Sequence, residues 1–196
     1  AEDATVAAGV AGANGSVARV VKSATAELWA GTTVSTGANQ SIATIPFTAT
    51  ARSMTLRVRA PAAGIVVRLK VEDAADPTRS VETEATTTVA NAWETLTFNF
   101  ANQATGTAAL NLAFTYNKAS VFFAFGTTGA AGGAGTYYFD ELNFVAGGGG
   151  GGGGGGTVAG LPIDFDTAGV TYTLTGFGGA EDATVAAGVA GANGSV

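Results

Sequence analysis

The chain has 196 residues and contains neither cysteine nor histidine. This composition excludes disulfide bridges, thiolate or imidazole metal sites, cysteine nucleophiles and Ser-His-Asp triads. The net charge of -6, from 9 Lys+Arg and 15 Asp+Glu, has the wrong sign for a phosphate backbone or an anionic membrane surface, so we expect neither nucleic acid nor a membrane as a partner.

Strands and turns dominate the predicted secondary structure, because apolar residues alternate with polar ones and Gly, Asn, Asp or Pro recur at short intervals. In chain order, the predicted strands are residues 17–22, 28–35, 53–59, 65–72, 81–89, 93–100, 110–116, 121–126, 136–144, 161–166, 170–177 and 182–187. So many short strands in one domain require two packed antiparallel sheets. The predicted fold class is therefore all-β, an antiparallel β-sandwich of jelly-roll type.

An exact repeat and a glycine run organise the chain. The segment AEDATVAAGVAGANGSV occupies residues 1–17 and recurs without a change at residues 180–196, and residues 147–156 are all glycine. The glycine run is typical of a linker. We predict that residues 1–146 form most of one domain and that residues 157–196 supply its first strands, to the same domain or to a neighbouring one. An engineered circular permutant and a window from a tandem array of identical units both fit this order.

Alternation also predicts which residues share a face of a strand. Charged residues hold one parity along residues 54–59, 67–72 and 81–89, and we expect them to form the outer face of a single sheet: Arg57, Arg59, Arg68, Lys70, Glu72, Glu82 and Glu84. Asp140 shares the parity of Leu142 and Phe144, so its carboxylate is predicted to point inward. The residues predicted for the core include Phe122, Phe123, Phe125, Phe139 and Phe144.

Four stretches carry a resemblance to a known family: LPIDFD at residues 161–166, residues 56–73, VETEATTTVANAWETLTFNF at residues 81–100, and YYFDEL at residues 137–142. They resemble the non-catalytic jelly-roll carbohydrate-binding modules appended to bacterial polysaccharide-degrading enzymes, notably laminarinase-like ones. The resemblance covers nearly the whole unit, read from residue 157 around to residue 146. It implies a secreted or extracellular protein with a polysaccharide as its partner.

The same resemblance implies a structural calcium ion, shared in such modules by an acidic residue near the first strand and another on the last strand. The matching positions are Asp166 and Asp140, with Asp164 and Glu141 adjacent. Calcium takes about six to eight hard oxygen ligands, so two carboxylates with backbone carbonyls begin such a site. The alternative is a set of solvated charges at strand ends. The sequence departs from the family pattern twice, because its first strand stands near the C-terminal end and Asp166 replaces the more usual Glu.

Trp29 and Trp93 are the two tryptophans of the chain, and they are the candidate platforms for stacking on a sugar ring. Arg68, Lys70 and Glu84 are the candidate hydrogen-bonding partners for sugar hydroxyls. The alternatives are that each tryptophan covers an edge of the core and that the charged residues form a merely solvated face.

An enzyme is the weakest functional class, because Glu82 and Glu84 stand two apart on one strand in a charge-balanced face. We predict a non-catalytic carbohydrate-binding module. The alternative is a structural repeat or spacer of an extracellular fibre or adhesin, which the exact repeat favours. The repeat also predicts that both copies compete for one place in the sandwich. If residues 157–196 fold back onto their own chain, the protein is a closed monomer. If they complete a neighbouring chain, head-to-tail strand donation builds a filament unless the rotation closes it into a ring.

Overall fold

A computed structural model describes residues 3–6, 10–146, 158–179 and 181–184 of the chain. The predicted glycine linker at residues 147–156 lies outside the described residues, as do residues 1–2, 7–9, 180 and 185–196 of the two repeat copies.

The described residues form eleven strands joined by turns. These are β1 (Asp3–Val6), β2 (Ala18–Lys22), β3 (Gly31–Ser35), β4 (Ser53–Arg59), β5 (Val66–Asp73), β6 (Asp76–Thr86), β7 (Trp93–Asn99), β8 (Lys118–Phe123), β9 (Gly135–Val145), β10 (Thr173–Phe177) and β11 (Glu181–Thr184). The helical segments are a 3-10 turn at Ala38–Gln40 and a π-type turn at Gly129–Gly133. Over the described part of the chain, no helix has the length and apolar character needed to span a membrane.

The strands build two sheets that pack face to face. Sheet I has the order β6-β5-β8-β3-β10-β11, and sheet II has the order β1-β2-β9-β4-β7. Among the described strands, only β1 and β11 pair in parallel, and this pair connects the two sheets. All other ladders between described strands are antiparallel. The predicted all-β, antiparallel sandwich is confirmed.

The core lies between the two sheets, where alternate residues of each strand point inward. In β4, the inward residues Met54, Leu56 and Val58 are fully buried, while the residues between them are partly exposed. The inward residues of β5 follow the same period of two. Burying an aliphatic side chain of this size stabilises the fold by about 1.5–3 kcal/mol, so the alternation in the sequence fixes which face each strand turns to the core.

The prediction that all these charged residues form the outer face of one sheet is wrong. β4, with Arg57 and Arg59, pairs with β7 and β9 in sheet II, whereas β5, with Arg68 and Lys70, pairs with β6 and β8 in sheet I. Residues 60–65 therefore cross from one sheet to the other instead of forming a hairpin. Parity along one strand indicates a face but does not identify the neighbouring strand.

Two predicted strands are absent from the described structure. Residues 110–116 lie in turns and irregular chain. Residues 161–166 contribute only an isolated bridge between Ile163 and Leu142. The Asp164 carboxylate accepts hydrogen bonds from the backbone N–H of Asp166 and of Thr167, and such local bonds compete with a strand ladder. Apolar residues of this segment still fill the core without a ladder.

Candidate functional site

A row of side chains crosses the outer face of sheet I from β6 to β10. Glu84 on β6 stands opposite Arg68 on β5, and Arg68 stands opposite Phe122 on β8. Gly31 on β3 lies beside Phe122 and pairs with Phe177 on β10. With neighbouring strands about 4.8 Å apart, the row spans roughly 19 Å.

Four aromatic rings form one continuous cluster on this face, here called the aromatic row: Trp29, Phe177, Phe122 and Phe125. Phe122 contacts Phe125 and Phe177 edge-on, with ring centroids 5.6 and 5.4 Å apart. Trp29 stacks on Phe177 at 6.4 Å with an interplanar angle of 18°. Phe122 is buried beneath its neighbours, but 48% of Trp29 is exposed. The row therefore ends in an accessible pair of nearly parallel rings, an indole and a phenyl.

Gly31 allows these rings to approach the sheet. A Cβ atom at residue 31 would lie 2.6 Å from Cδ1 of Phe122 and 2.8 Å from Cζ of Phe177. Both distances are far below van der Waals contact, so any side chain at this position would push the rings apart. The glycine is thus explained by packing.

The charged end of the row is held rigidly by ion pairs. Arg68 donates from Nε and Nη2 to Oε1 of Glu84, at 2.8 and 2.6 Å, and from Nη1 to Oε2 of Glu82 at 2.8 Å. Its guanidinium lies over the ring of Phe125, 3.5 Å from the centroid. A guanidinium stacked on a ring and paired with two carboxylates has a fixed plane, and its remaining N–H groups keep fixed directions.

Further along β5, Lys70 and Glu72 form a second group of ion pairs with Lys118 of β8. Lys70 and Lys118 both bind the carboxylate of Glu72, at 2.5 and 3.0 Å. Burial alone would raise the pKa of Glu72, but hydrogen bonds from the two lysines hold that pKa below its ordinary value. Lys70 is therefore held in an ion pair within the sheet and lies one row away from the aromatic row.

The two tryptophans do not share a face. Trp93 lies on sheet II, half-buried, beside Tyr138, with the guanidinium of Arg57 4.7 Å from its ring centroid. Its Nε1 donates to the carbonyl oxygen of Ala11 at 3.1 Å. Of the predicted sugar-binding residues, the structure thus brings together Trp29, Arg68 and Glu84, places Lys70 nearby, and separates Trp93.

Sequence reasoning missed most of the aromatic row. Phe122 and Phe125 were expected in the core, but Phe122 faces outward, since its partner across the ladder is Arg68. In a run such as VFFAF both parities are aromatic, so alternation cannot separate inner from outer residues. The outward position of Phe122 could have been predicted from the pairing of β8 with β5, because β5 alternates clearly and Phe122 lies opposite its outward residue Arg68.

Two of the four acidic residues predicted for calcium, Asp140 and Glu141, lie at an irregularity in β9. The β4–β9 register shifts between Thr55 and Arg57, and Glu141 has a φ of +51°. Asp140 is therefore paired with Arg57 and belongs to the outer parity of β4, which contradicts the predicted inward parity. A bulge places two residues opposite one and reverses the alternation beyond it.

Asp140 is nonetheless only 1% exposed, because residues 12–16, which precede β2, bind the side chains around it. Arg57 Nη2 donates to the carbonyl oxygen of Gly12 at 2.6 Å, and Asn14 Nδ2 donates to Glu141 Oε1 at 3.1 Å. The backbone N–H of Ser16 donates to both carboxylate oxygens of Asp166, at 3.0 and 3.2 Å. These contacts define the acidic site, which consists of Asp140, Glu141 and Asp166 with Arg57.

Burial raises the pKa of Asp140 to about 7. The Glu141 N–H and the Arg57 guanidinium oppose this shift, whereas the charges of Glu141 and Asp166 add to it. Arg57 Nη1 lies 3.9 Å from Asp140 Oδ2 and 4.0 Å from Glu141 Oε1, and it is buried with no hydrogen-bond partner. The Asp140 carboxyl and the Arg57 Nη1 are thus both buried in the acidic site but too far apart for a direct hydrogen bond.

The Asp164 carboxylate forms its side-chain hydrogen bonds outside the acidic site. Its Oδ1 accepts from the Tyr172 hydroxyl at 2.8 Å as well as from the local backbone, and it lines an open pocket of about 470 Å³ together with Leu161 and Val170. The described residues contain no group of three or more acidic side chains arranged to hold a metal ion. Asp140 and Asp166 fit a shared cation in charge and in oxygen chemistry, but the remaining ligands would have to be carbonyls or water.

Comparison with protein-family models found no match, and comparison with curated proteins found no similar sequence.

Proposed function

We propose that the protein is a non-catalytic carbohydrate-binding module that holds its ligand on the outer face of sheet I. The observation that carries this proposal is Trp29, about half exposed and stacked on Phe177 in line with the Arg68–Glu84 pair. Sugar rings have apolar faces that stack on aromatic rings and hydroxyl groups that need hydrogen bonds. The aromatic row offers the first kind of contact and its charged end offers the second.

The ligand is a neutral or mildly acidic polysaccharide. The carboxylate of Glu84 accepts from hydroxyls, and the free N–H directions of Arg68 donate to hydroxyl or carboxylate oxygens. The charged face as a whole carries no net charge, because the three cations Arg68, Lys70 and Lys118 balance the three carboxylates Glu72, Glu82 and Glu84. It therefore has no strong preference for either sign of charge in the ligand. The length of the row matches a glycan chain of several sugars. Binding to such a polysaccharide is the reason to propose that the protein acts outside the cell.

The test compares Trp29→Ala with Trp93→Ala on a glycan array and then by affinity electrophoresis in the retained polysaccharide. Loss of the exposed stacking surface should weaken retention about tenfold in Trp29→Ala. Trp93→Ala is the matched control, since that ring lies on the other sheet. Equal retention by both variants and the parent chain, with unchanged melting temperatures, would refute sugar binding at the aromatic row.

A structural calcium ion is part of the proposal. Asp140 and Asp166 would hold it, and its role would be to neutralise the buried carboxylate of Asp140 and to tie β9 to the segment around residue 166. Binding to the folded state alone raises stability by mass action. Addition of a chelator should therefore lower the melting temperature, and a melting curve that is the same with chelator and with excess calcium would exclude the ion.

The second candidate function is that of a structural repeat or spacer in an extracellular fibre or adhesin. It is favoured by the unchanged 17-residue repeat, which sugar binding does not require. A chain that binds no glycan on the array but forms regular filaments in electron micrographs would favour this function over the first.

A further inference from the structure

The two copies of the repeat occupy neighbouring strands. Residues 3–6 of the first copy form β1, and residues 181–184 of the second copy form β11. Ala4 and Ala183 are the same residue of the repeat, because the copies are identical and begin at residues 1 and 180.

Each copy pairs with a different flanking strand, and both do so at this residue. Ala4 pairs with Val20 of β2, and Ala183 pairs with Leu174 of β10, in both cases antiparallel. Val20 and Leu174 are each 1% exposed and belong to the same core. A single strand placed between β10 and β2 would therefore satisfy both ladders in one register.

The pairing of the copies with each other is the irregular part of the sheet. β1 and β11 run parallel, and their register shifts between Asp3 and Thr5. The β10–β11 ladder has only the pair at Leu174. With one strand in this position, the order β10, repeat, β2 would be antiparallel throughout, like the other ladders of the described chain. The two copies thus lie side by side between β10 and β2, where the ladders of both flanking strands would be satisfied by one strand.

We propose that the position between β10 and β2 is a docking site for a single repeat strand, and that the strand that docks there is a repeat copy of the same chain. Recognition rests on main-chain hydrogen bonds to both neighbours, as in β-strand addition. Every repeat has the same sequence, so donors from the same chain and from another chain are equivalent apart from effective concentration. A peptide of the repeat sequence should therefore be able to replace the docked copy.

The first test uses proline in the full chain. A strand with neighbours on both sides cannot accommodate proline without losing a ladder hydrogen bond. Ala4→Pro and Ala183→Pro are matched variants, because they alter the same residue of the repeat. Each alone should leave the melting temperature within about 2 °C of the parent, since the intact copy docks. The double variant should fall by roughly 5–10 °C.

This non-additivity is the signature of one shared position. Two single losses that sum to the double loss would show that each copy holds a position of its own, and would overturn the proposal.

The second test supplies the strand from outside the chain. A synthetic peptide of sequence AEDATVAAGVAGANGSV, added to the Ala4→Pro/Ala183→Pro chain before refolding, should raise its melting temperature back toward that of the parent in a concentration-dependent way. A scrambled peptide is the control and should have no effect. Because refolding includes the peptide, the test also works if the double variant alone fails to fold. Absence of any rescue by the repeat peptide would overturn the docking of a repeat strand at this position. Neither test depends on glycan binding.

Discussion

Asp140→Asn tests the electrostatics of the acidic site directly. The Asp140 carboxyl is almost completely buried, and burial raises its pKa to about 7 from an ordinary value of 3.8. The charged groups that face it are Glu141 and Asp166, which disfavour its ionisation, and Arg57, which favours it. Asparagine keeps the size and the oxygen that accepts the Glu141 N–H but carries no charge at any pH.

The sign of the pH dependence follows from proton binding. Between about pH 4 and pH 7 the folded state keeps the Asp140 proton that the unfolded state has already released. The free energy of unfolding therefore falls as pH rises through this range and levels off above pH 7. A shift of this size corresponds to at most about 4 kcal/mol. Asp140→Asn removes the fall, so the variant should be more stable than the parent at pH 8 by about 1–4 kcal/mol and no more stable at pH 4.5.

The assay is urea unfolding from pH 4.5 to pH 8.5 in the presence of a chelator. Glu27→Gln is the control, because Glu27 is an exposed carboxylate that is not among the charged groups facing Asp140, and its substitution should leave the pH slope in place. Parallel stability profiles for the parent and Asp140→Asn would refute a raised pKa at Asp140. Calcium added at pH 8 should stabilise the parent and not Asp140→Asn. A parent that does not respond would indicate that Arg57 is the sole counter-charge.

Two further substitutions test buried contacts, one beneath the proposed glycan site and one at a buried lysine of β2. Gly31→Ala should destabilise the protein by about 1–3 kcal/mol, because its Cβ would overlap the Phe122 and Phe177 rings; thermal unfolding measures this, and the cost should shrink in a Phe177→Ala background. Lys22→Met should cost about 1–3 kcal/mol by chemical denaturation, because Lys22 is 1% exposed and its Nζ donates to the carbonyls of Phe123 and Ala124 at 3.1 and 3.0 Å. An unchanged unfolding midpoint would contradict the close ring contacts at Gly31 in the first case and the buried hydrogen bonds of Lys22 in the second.

Local pattern predicted the fold class and many of the strands. The strand at Ser53–Arg59 begins and ends where alternation predicts, because one buried face imposes a period of two on the side chains. The same pattern failed at residues 161–166, where Asp164 bonds to its own backbone neighbours and the apolar residues reach the core without a ladder. An apolar, alternating segment therefore does not by itself guarantee a strand.

The sequence by itself determined the alternation of each strand, the absence of His and Cys chemistry and the identity of the two repeat copies. Only the tertiary structure decided which strands are neighbours. That choice separated Trp93 from Trp29, brought Trp29 into line with Arg68, and turned Asp140 toward Arg57 through a bulge. The physical reason is that strand pairing joins residues far apart in the chain, through backbone hydrogen bonds that every residue except proline can form. The side-chain pattern of a strand therefore indicates its faces, while its partners depend on how the whole core packs.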